Sequence, residues 1–416
     1  MKIIEKVINN IPVTFIKTTK FKSIAGALYF TSPVDEKKIT TRMLLRDVLV
    51  HSTKKYKTNE ELNINCLENY DAYYGASTSR NGNLFSNSFA FRTLEDNYTE
   101  KGNLEKVIDT FCEIVFNPNV ISNKFEQKGF DIKKKIIKES YEKIKESQRV
   151  YAEHSILKYL NQNKAYSYDL NLDILNDITP ESLYDEYLDM INNSSVSIII
   201  AGNVDENDTI YEKIVKNIKS NINYDMDIYI NNDDEKRQDD VIETSSGTEN
   251  VLQLVYYLKN MSDYELHYVM PIYKMILGGG GSSRLFDSVR EKNSLAYYCF
   301  ARYEKDDKTM EVITGIEKKN YEKAVKIIEE EKEKMNSITE EEVEDTKKEL
   351  ISSLLESLDN IFNVIGRVRT EEVFNIPGID EFIDKFNGVT KEEIESLNKK
   401  IELGLIYFLE GCDNIE

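Results

Sequence analysis

The sequence predicts an α+β protein of two tandem homologous domains, each a mostly antiparallel sheet with helices on one face. Three observations carry this. At 416 residues the chain is long enough for two to four domains of roughly 100 to 200 residues each. Its strand and helix patterns run in one order through the first half and repeat in the second. The endings of the halves also match: "DITPESLYDEYLDMINNSSVSIIIAGN" and "GVTKEEIESLNKKIELGLIYFLEGC" each offer a Thr N-cap (Thr179, Thr390), an acidic first turn, a helix, a terminal strand and a glycine, Gly202 or Gly411.

In chain order, "IPVTFIKT" and "IAGALYFTS" are apolar, β-rich runs bounded by polar residues, as strands are. "TTRMLLRDVLVHSTKKY" places Leu44, Leu45, Val48 and Leu49 at helical spacing and leaves through lysines, so it reads as an amphipathic helix. "NLFSNSFAFRTL" alternates like a strand with one buried face. "NLEKVIDTFCEIVFNP" is a helix stopped by its proline, and "EQKGFDIKKKIIKESYEKIKESQRVYAEHSILKYLN" is helical with an apolar stripe. "SSVSIIIAGN" closes the first half as a buried strand. In the second half "ENVLQLVYYLKN" and "MEVITGIEK" read as strands, and "YELHYVMPIYKMILGG" as a helix ended by glycines. The charged stretch from Asn320 to Asn360 reads as one or more helices. The polar, acid-rich "NINYDMDIYINNDDEKRQDDVIETSSG" has the composition of a linker. The expected division is 1–220, a linker at 221–245, and 246–416.

Composition excludes several function classes. A net charge of −20 opposes binding to a phosphate backbone, whose affinity comes largely from Lys and Arg. Nucleic acid is therefore not an expected partner; such charge favours basic peptides, although solubility is its simpler reading. No apolar run reaches the roughly 18 to 20 residues of a membrane helix, and the N-terminal stretch has no signal-peptide pattern, so the expected location is cytoplasmic with no membrane partner. Cys66, Cys112, Cys299 and Cys412 lie far apart, which fits reduced core thiols better than disulfides or a zinc knuckle. His51, His154 and His267 form no i, i+4 pair and read as packing or surface residues.

The stretch from Gly279 to Tyr297 reads G-G-x-x-S-R-L-F-x-x-x-R-E-K-x-x-L-A-Y. Together with the tandem halves and the helix leading into "STKKY", it resembles the insulinase/pitrilysin family of inverted zinc metallopeptidases over nearly the full length. That resemblance implies two halves closing as a clamshell. It also implies a zinc held by the two His of H-x-x-E-H and a downstream Glu, with the motif's own Glu as general base.

Aligned on "STKKY", the first His falls at Met43, the Glu at Arg46 and the second His at Asp47. The ligand and base chemistry is gone. A guanidinium repels Zn²⁺ by about 4 kcal/mol per unit charge at 4 Å in an effective dielectric of 20, and Arg46 cannot act as a base. The resemblance offers Glu139 as a relic of the third ligand, but a lone Glu on a Lys-rich helix reads more readily as a solvated salt-bridge former. No metal or cofactor is expected in this chain.

The resemblance assigns Arg290 and Tyr297 to hold the substrate carbonyl and its developing oxyanion, a role suited to a cation and a phenol. Gly279, Gly280, Gly281 and Ser282, without a Walker lysine after them, read as a flexible stretch passing close to bound peptide. Relatives of this size include unequal pairs, so the expected function is a zinc-less subunit that is inactive alone. It would lend Arg290 and Tyr297 to a homologous H-x-x-E-H partner, which carries the zinc, for processing or degrading peptides. The alternative is a non-catalytic scaffold or peptide-binding protein of the same fold.

Overall fold

A computed structural model describes residues 1–224 and 227–412. The chain forms two compact units. The first comprises 1–141, 169–227 and 357–375, and the second 142–168, 228–356 and 376–416.

The first unit carries strands β1 (Lys2–Ile8), β2 (Ile11–Lys17), β3 (Ser23–Pro33), β4 (Tyr73–Asn81), β5 (Leu84–Leu94) and β6 (Ser195–Gly202). They form one sheet in the order β1-β2-β6-β3-β5-β4. All its pairs are antiparallel except β2 with β6. The second unit carries β7 (Val241–Ser245), β8 (Asn250–Leu258), β9 (Ala296–Glu304), β10 (Thr309–Ile316) and β11 (Ile401–Gly411). Their order is β9-β10-β8-β11-β7, with only β11 and β7 parallel. Read from the opposite edge, this is the first sheet without its outermost strand: β7 stands for β2, β11 for β6, β8 for β3, β10 for β5 and β9 for β4. The repeat seen in the sequence is therefore a repeat of topology.

One face of each sheet is apolar. In the first, Val13, Phe15, Leu28, Phe30, Ile198 and Ile200 point into a core shared with helices α1 (Glu36–Leu49), α3 (Asn103–Phe116) and α6 (Pro180–Asn192). Between these along the chain lie α2 (Asn59–Glu68), α4 (Gln127–Glu142) and α5 (Gln148–Ser155). In the second, Leu252, Leu254, Tyr256, Val312 and Phe408 meet α7 (Met270–Gly278), α8 (Tyr321–Lys334), and residues from α9 (Glu340–Ser357) and, beyond α10 (Ile361–Phe374), from α11 (Ile379–Asn387) and α12 (Lys391–Leu397). Helix α1 begins at Asp35, whose carboxylate accepts from the Lys37 N–H at 3.0 Å.

Each unit adds one helix on its opposite, polar face. In the first unit this is α10. Arg369 donates to Ser197 at 2.9 Å and Thr31 at 3.0 Å and lies over the Tyr29 ring, while Glu372 accepts from Thr14 at 2.6 Å. In the second it is α5, with Tyr151 donating to Glu243 at 2.9 Å and Glu153 accepting from Arg302 at 2.9 Å. Units and sequence halves thus differ, because α5 and α10 each serve the unit named for the other half. The long helix expected from Glu126 onward breaks after Glu142, and a new one starts where Ser147 caps Val150. The acid-rich segment 221–245 contributes strand β7 and buries Ile230 and Asn232. Asn232 donates to the Asp307 carbonyl at 2.7 Å, a contact its polar composition hid.

Candidate functional site

Met43, Arg46 and Asp47 sit at i, i+3 and i+4 of α1 and so share a face. Met43 packs partly buried against the apolar core. The Arg46 Nε donates to the Asp47 carboxylate at 2.7 Å, and its Nη1 to Thr78 on β4 at 3.3 Å. Glu139 is exposed on α4, with Lys135 one turn away at 3.6 Å. These residues do not fit a zinc ion: the thioether packs inward, one carboxylate is already held by a guanidinium and the other pairs with a lysine. Among the described residues, no three His, Cys, Asp or Glu side chains are grouped to hold a metal.

The sequence did not draw attention to Arg42, one residue earlier. It is only 1% exposed. It donates to Glu186, and at 3.0 Å to Asp189, tying α1 to α6. The buried Asn87 amide donates to the Arg42 carbonyl at 3.0 Å.

In the second unit the glycine run follows α7. A Cβ on Gly278 would stand 2.7 Å from the Ala301 backbone nitrogen, and one on Gly279 would stand 2.6 Å from the Met275 Cα. Both are glycines because backbone passes too close for any side chain. Gly281 meets nothing within 4 Å and Ser282 is exposed. Ser283 closes the turn by donating its hydroxyl to the Gly280 carbonyl at 2.6 Å.

The next segment, Phe286–Lys292, is a wide π-helical turn that buries Val289. Arg284 just before it is structural: it grips Glu342 with two bonds of 2.8 and 2.9 Å and donates to the carbonyls of Lys334 and Ser337. Those carbonyls lie at and just beyond the end of α8, where a cation is favourable. Arg290 is placed differently. Its guanidinium lies over the Phe286 ring, 4.7 Å from the centroid, and over the Tyr297 ring at 5.3 Å. Pairing of β9 with β10 slips between Ala296 and Cys299, and Tyr297 falls in that irregularity. Bulges re-aim side chains. Here the result is a Tyr297 that is 83% exposed at the edge strand of the sheet.

The remaining candidates divide. Cys112 and Cys299 are buried, and burial pushes both thiols up to about 12. Cys66 is half-buried on α2 and Cys412 is exposed after the last strand, so these two are not core thiols, although all four are free. His267 is buried, with Tyr229 at 2.7 Å. Burial, then the charge of Lys133, holds the His51 imidazole below its usual range. No helix among the described residues is long and apolar enough to cross a membrane.

Two topologically equivalent α+β units, a helix whose metal motif is replaced and an Arg–Tyr pair on a wide turn together define a zinc-less relative of the inverted metallopeptidases. The comparisons agree. Residues 177–350 match the family model of the peptidase M16 inactive domain. Over 406 residues the chain is 27% identical to the probable inactive metalloprotease YmfF of Bacillus subtilis (strain 168), covering 96% of this chain and 95% of that protein. The crystal structure of a conserved protein from Enterococcus faecalis matches with a TM-score of 0.90 at 25% identity, covering 100% of both chains. That of the peptidase M16 inactive domain from Pseudomonas fluorescens matches with a TM-score of 0.82 at 17% identity over 99% of both. Residues 177–350 thus match the peptidase M16 inactive domain, and over nearly its whole length the chain is similar to a probable inactive member of the insulinase/pitrilysin group that its motifs resemble.

Proposed function

We propose that this chain is the zinc-less subunit of a heterodimeric M16 peptidase, working in the cytoplasm beside a homologous partner that carries H-x-x-E-H and its zinc. Arg290 and Tyr297 are its contribution. The guanidinium binds the carbonyl of an extended peptide, and the phenol donates to the same oxygen as negative charge develops on it. Gly280, Gly281 and Ser282 give the peptide backbone room to pass. The observation that carries the reading is that the fold leaves Arg290 and Tyr297 together and the phenol in solvent, whereas Arg284 in the same motif is consumed by structure. Met43, Arg46, Asp47 and Glu139 take no part in the chemistry.

The test is reconstitution with an H-x-x-E-H protein of similar length encoded nearby. Arg290→Ala or Tyr297→Phe should leave the complex intact and lower peptide turnover by roughly 10²- to 10³-fold, the usual loss for one oxyanion donor. Arg46→Ala should change turnover far less. A pair that cleaves equally well with Arg290 and Tyr297 both replaced leaves the scaffold or peptide-binding reading in its place.

A further inference from the structure

We propose that the exposed face of α2 and the turn after it, Ile64, Leu67 and Tyr70, is a docking surface for a basic amphipathic segment of another protein. Ile64 and Leu67 are three residues apart and share a helix face. They are 48% and 70% exposed, and Tyr70 is 44% exposed. Three large apolar side chains within seven residues form a patch of the sort that marks an interaction site, whereas single exposed residues do not.

The turn that carries Tyr70 is itself unusual. Tyr70 and Asp71 stand at φ 58° and 59°, consecutive left-handed positions where glycine or asparagine is the normal choice. Asn69 beneath them is buried and donates its side chain to the Asn65 carbonyl at 2.7 Å, and the Ala72 N–H returns to the Cys66 carbonyl at 3.1 Å. The chain thus holds an unfavourable backbone conformation that leaves a tyrosine in water. Alongside runs a groove of about 580 Å³ between α2 and α3, walled by Lys55, Glu61, Ile64 and Glu68 on one side and Lys106 and Asp109 on the other.

Charge selects the occupant. Glu60, Glu61, Glu68 and Asp71 are exposed around the apolar row and outnumber the two lysines of the groove, Lys55 and Lys106, so the complementary segment presents apolar residues flanked by Lys or Arg. A second copy of this chain would set these acids against their own images in a molecule whose net charge is −20. This surface is independent of the Arg290 and Tyr297 reading.

The probe is an amphipathic helical peptide of about 18 residues, long enough for five turns, with leucines on one face and lysines on the other. A counterpart with glutamates in place of the lysines serves as control. Binding is followed by fluorescence anisotropy with the full chain. The lysine peptide should bind and the glutamate peptide should not. Ile64→Glu with Leu67→Glu should weaken binding at least 10-fold while the thermal midpoint is unchanged, and Glu68→Lys with Asp71→Lys should do likewise. Reversing two distant acids, Glu340→Lys with Glu341→Lys, should leave binding as it was. Equal losses from the near and distant sets would reduce the effect to bulk charge and overturn the proposal. So would a homodimer in solution that Leu67→Glu dissolves.

Discussion

Arg42 lies one position before the replaced zinc motif, yet its work is structural. Its guanidinium is out of solvent between Glu186 and Asp189, so removing it strands a carboxylate that is itself mostly buried. Breaking one partner of such a pair typically costs 3–5 kcal/mol. Arg42→Met should therefore lower the free energy of urea unfolding by about 3 kcal/mol or more, while Arg46→Met, whose partners are half exposed, should cost under about 1 kcal/mol. The two carboxylates respond oppositely to pH. Burial raises the Glu186 carboxyl despite Arg42, so the folded state holds that proton longer than the unfolded chain does. Its contribution to stability therefore falls as pH rises from the ordinary value of 4.5 through the raised one. At Asp189 burial would also raise the carboxyl, but the bonds from Lys38 and Asn193 and the nearby cations draw it below 3.8. Its stabilisation is present above that value and fades as pH drops through the depressed one. In Glu186→Gln the decline between pH 4.5 and neutrality should flatten. Denaturant melts in half-unit pH steps would show it, and an unchanged slope would mean that Glu186 is not strained by burial.

At the scale of elements, the most legible features were those with local causes. Thr179 and Thr390 each cap a helix by accepting from the N3 backbone N–H, and the N3 side chain, Ser182 or Glu393, accepts from the Thr N–H in return. Thr179→Ala and Thr390→Ala should each cost about 1 kcal/mol, read from thermal melts, with Thr179→Asn nearly neutral. The central strands were legible because they are apolar nearly throughout. Strand β9 was not, because "AYYCFARYE" alternates Cys299 and Ala301, facing the apolar core, with Tyr298 and Arg302 on the other face. That second face is also covered, by a helix about 150 residues earlier in sequence. For the same reason α5 could be read as helical but not assigned a sheet, and α10 lay just beyond the stretch read as helical, since only long-range partners such as Glu243 for Tyr151 and Thr14 for Glu372 place these helices. The candidate site was legible where a family motif carried it, at Arg290 and Tyr297. The same motif gave no sign that Arg284 closes the end of α8, a role set by Glu342 nearly sixty residues on.

On the scale of the whole chain, the segments forming each unit bear on how it folds. The first unit takes residues 357–375 and the second takes 142–168, so a cut at the acid-rich segment separates each sheet from the helix on its polar face. Fragment 1–220 would expose Thr14, Thr31 and Ser197, together with the apolar surface that α10 covers. It would also leave Tyr29 without Arg369. Fragment 246–416 would lose α5 and also β7, leaving the parallel edge of β11 open and the Tyr407 hydroxyl without Glu243. An open strand edge is a template for aggregation. Expressed separately, the two fragments should therefore be poorly soluble or bind a hydrophobic dye, with shallow, non-cooperative melts. Co-expressed with residues 221–245 kept on the second fragment, so that β7 and Glu243 are present, they should associate and recover one sharp transition. In the intact chain, Arg369→Ala should lower the unfolding midpoint of the first unit although it lies in the second half of the sequence. Pulse-labelled hydrogen exchange would locate that loss in β2, β3 and β6. A fragment 1–220 that unfolds cooperatively on its own, with native near-ultraviolet dichroism, would show instead that α10 decorates a sheet already complete without it.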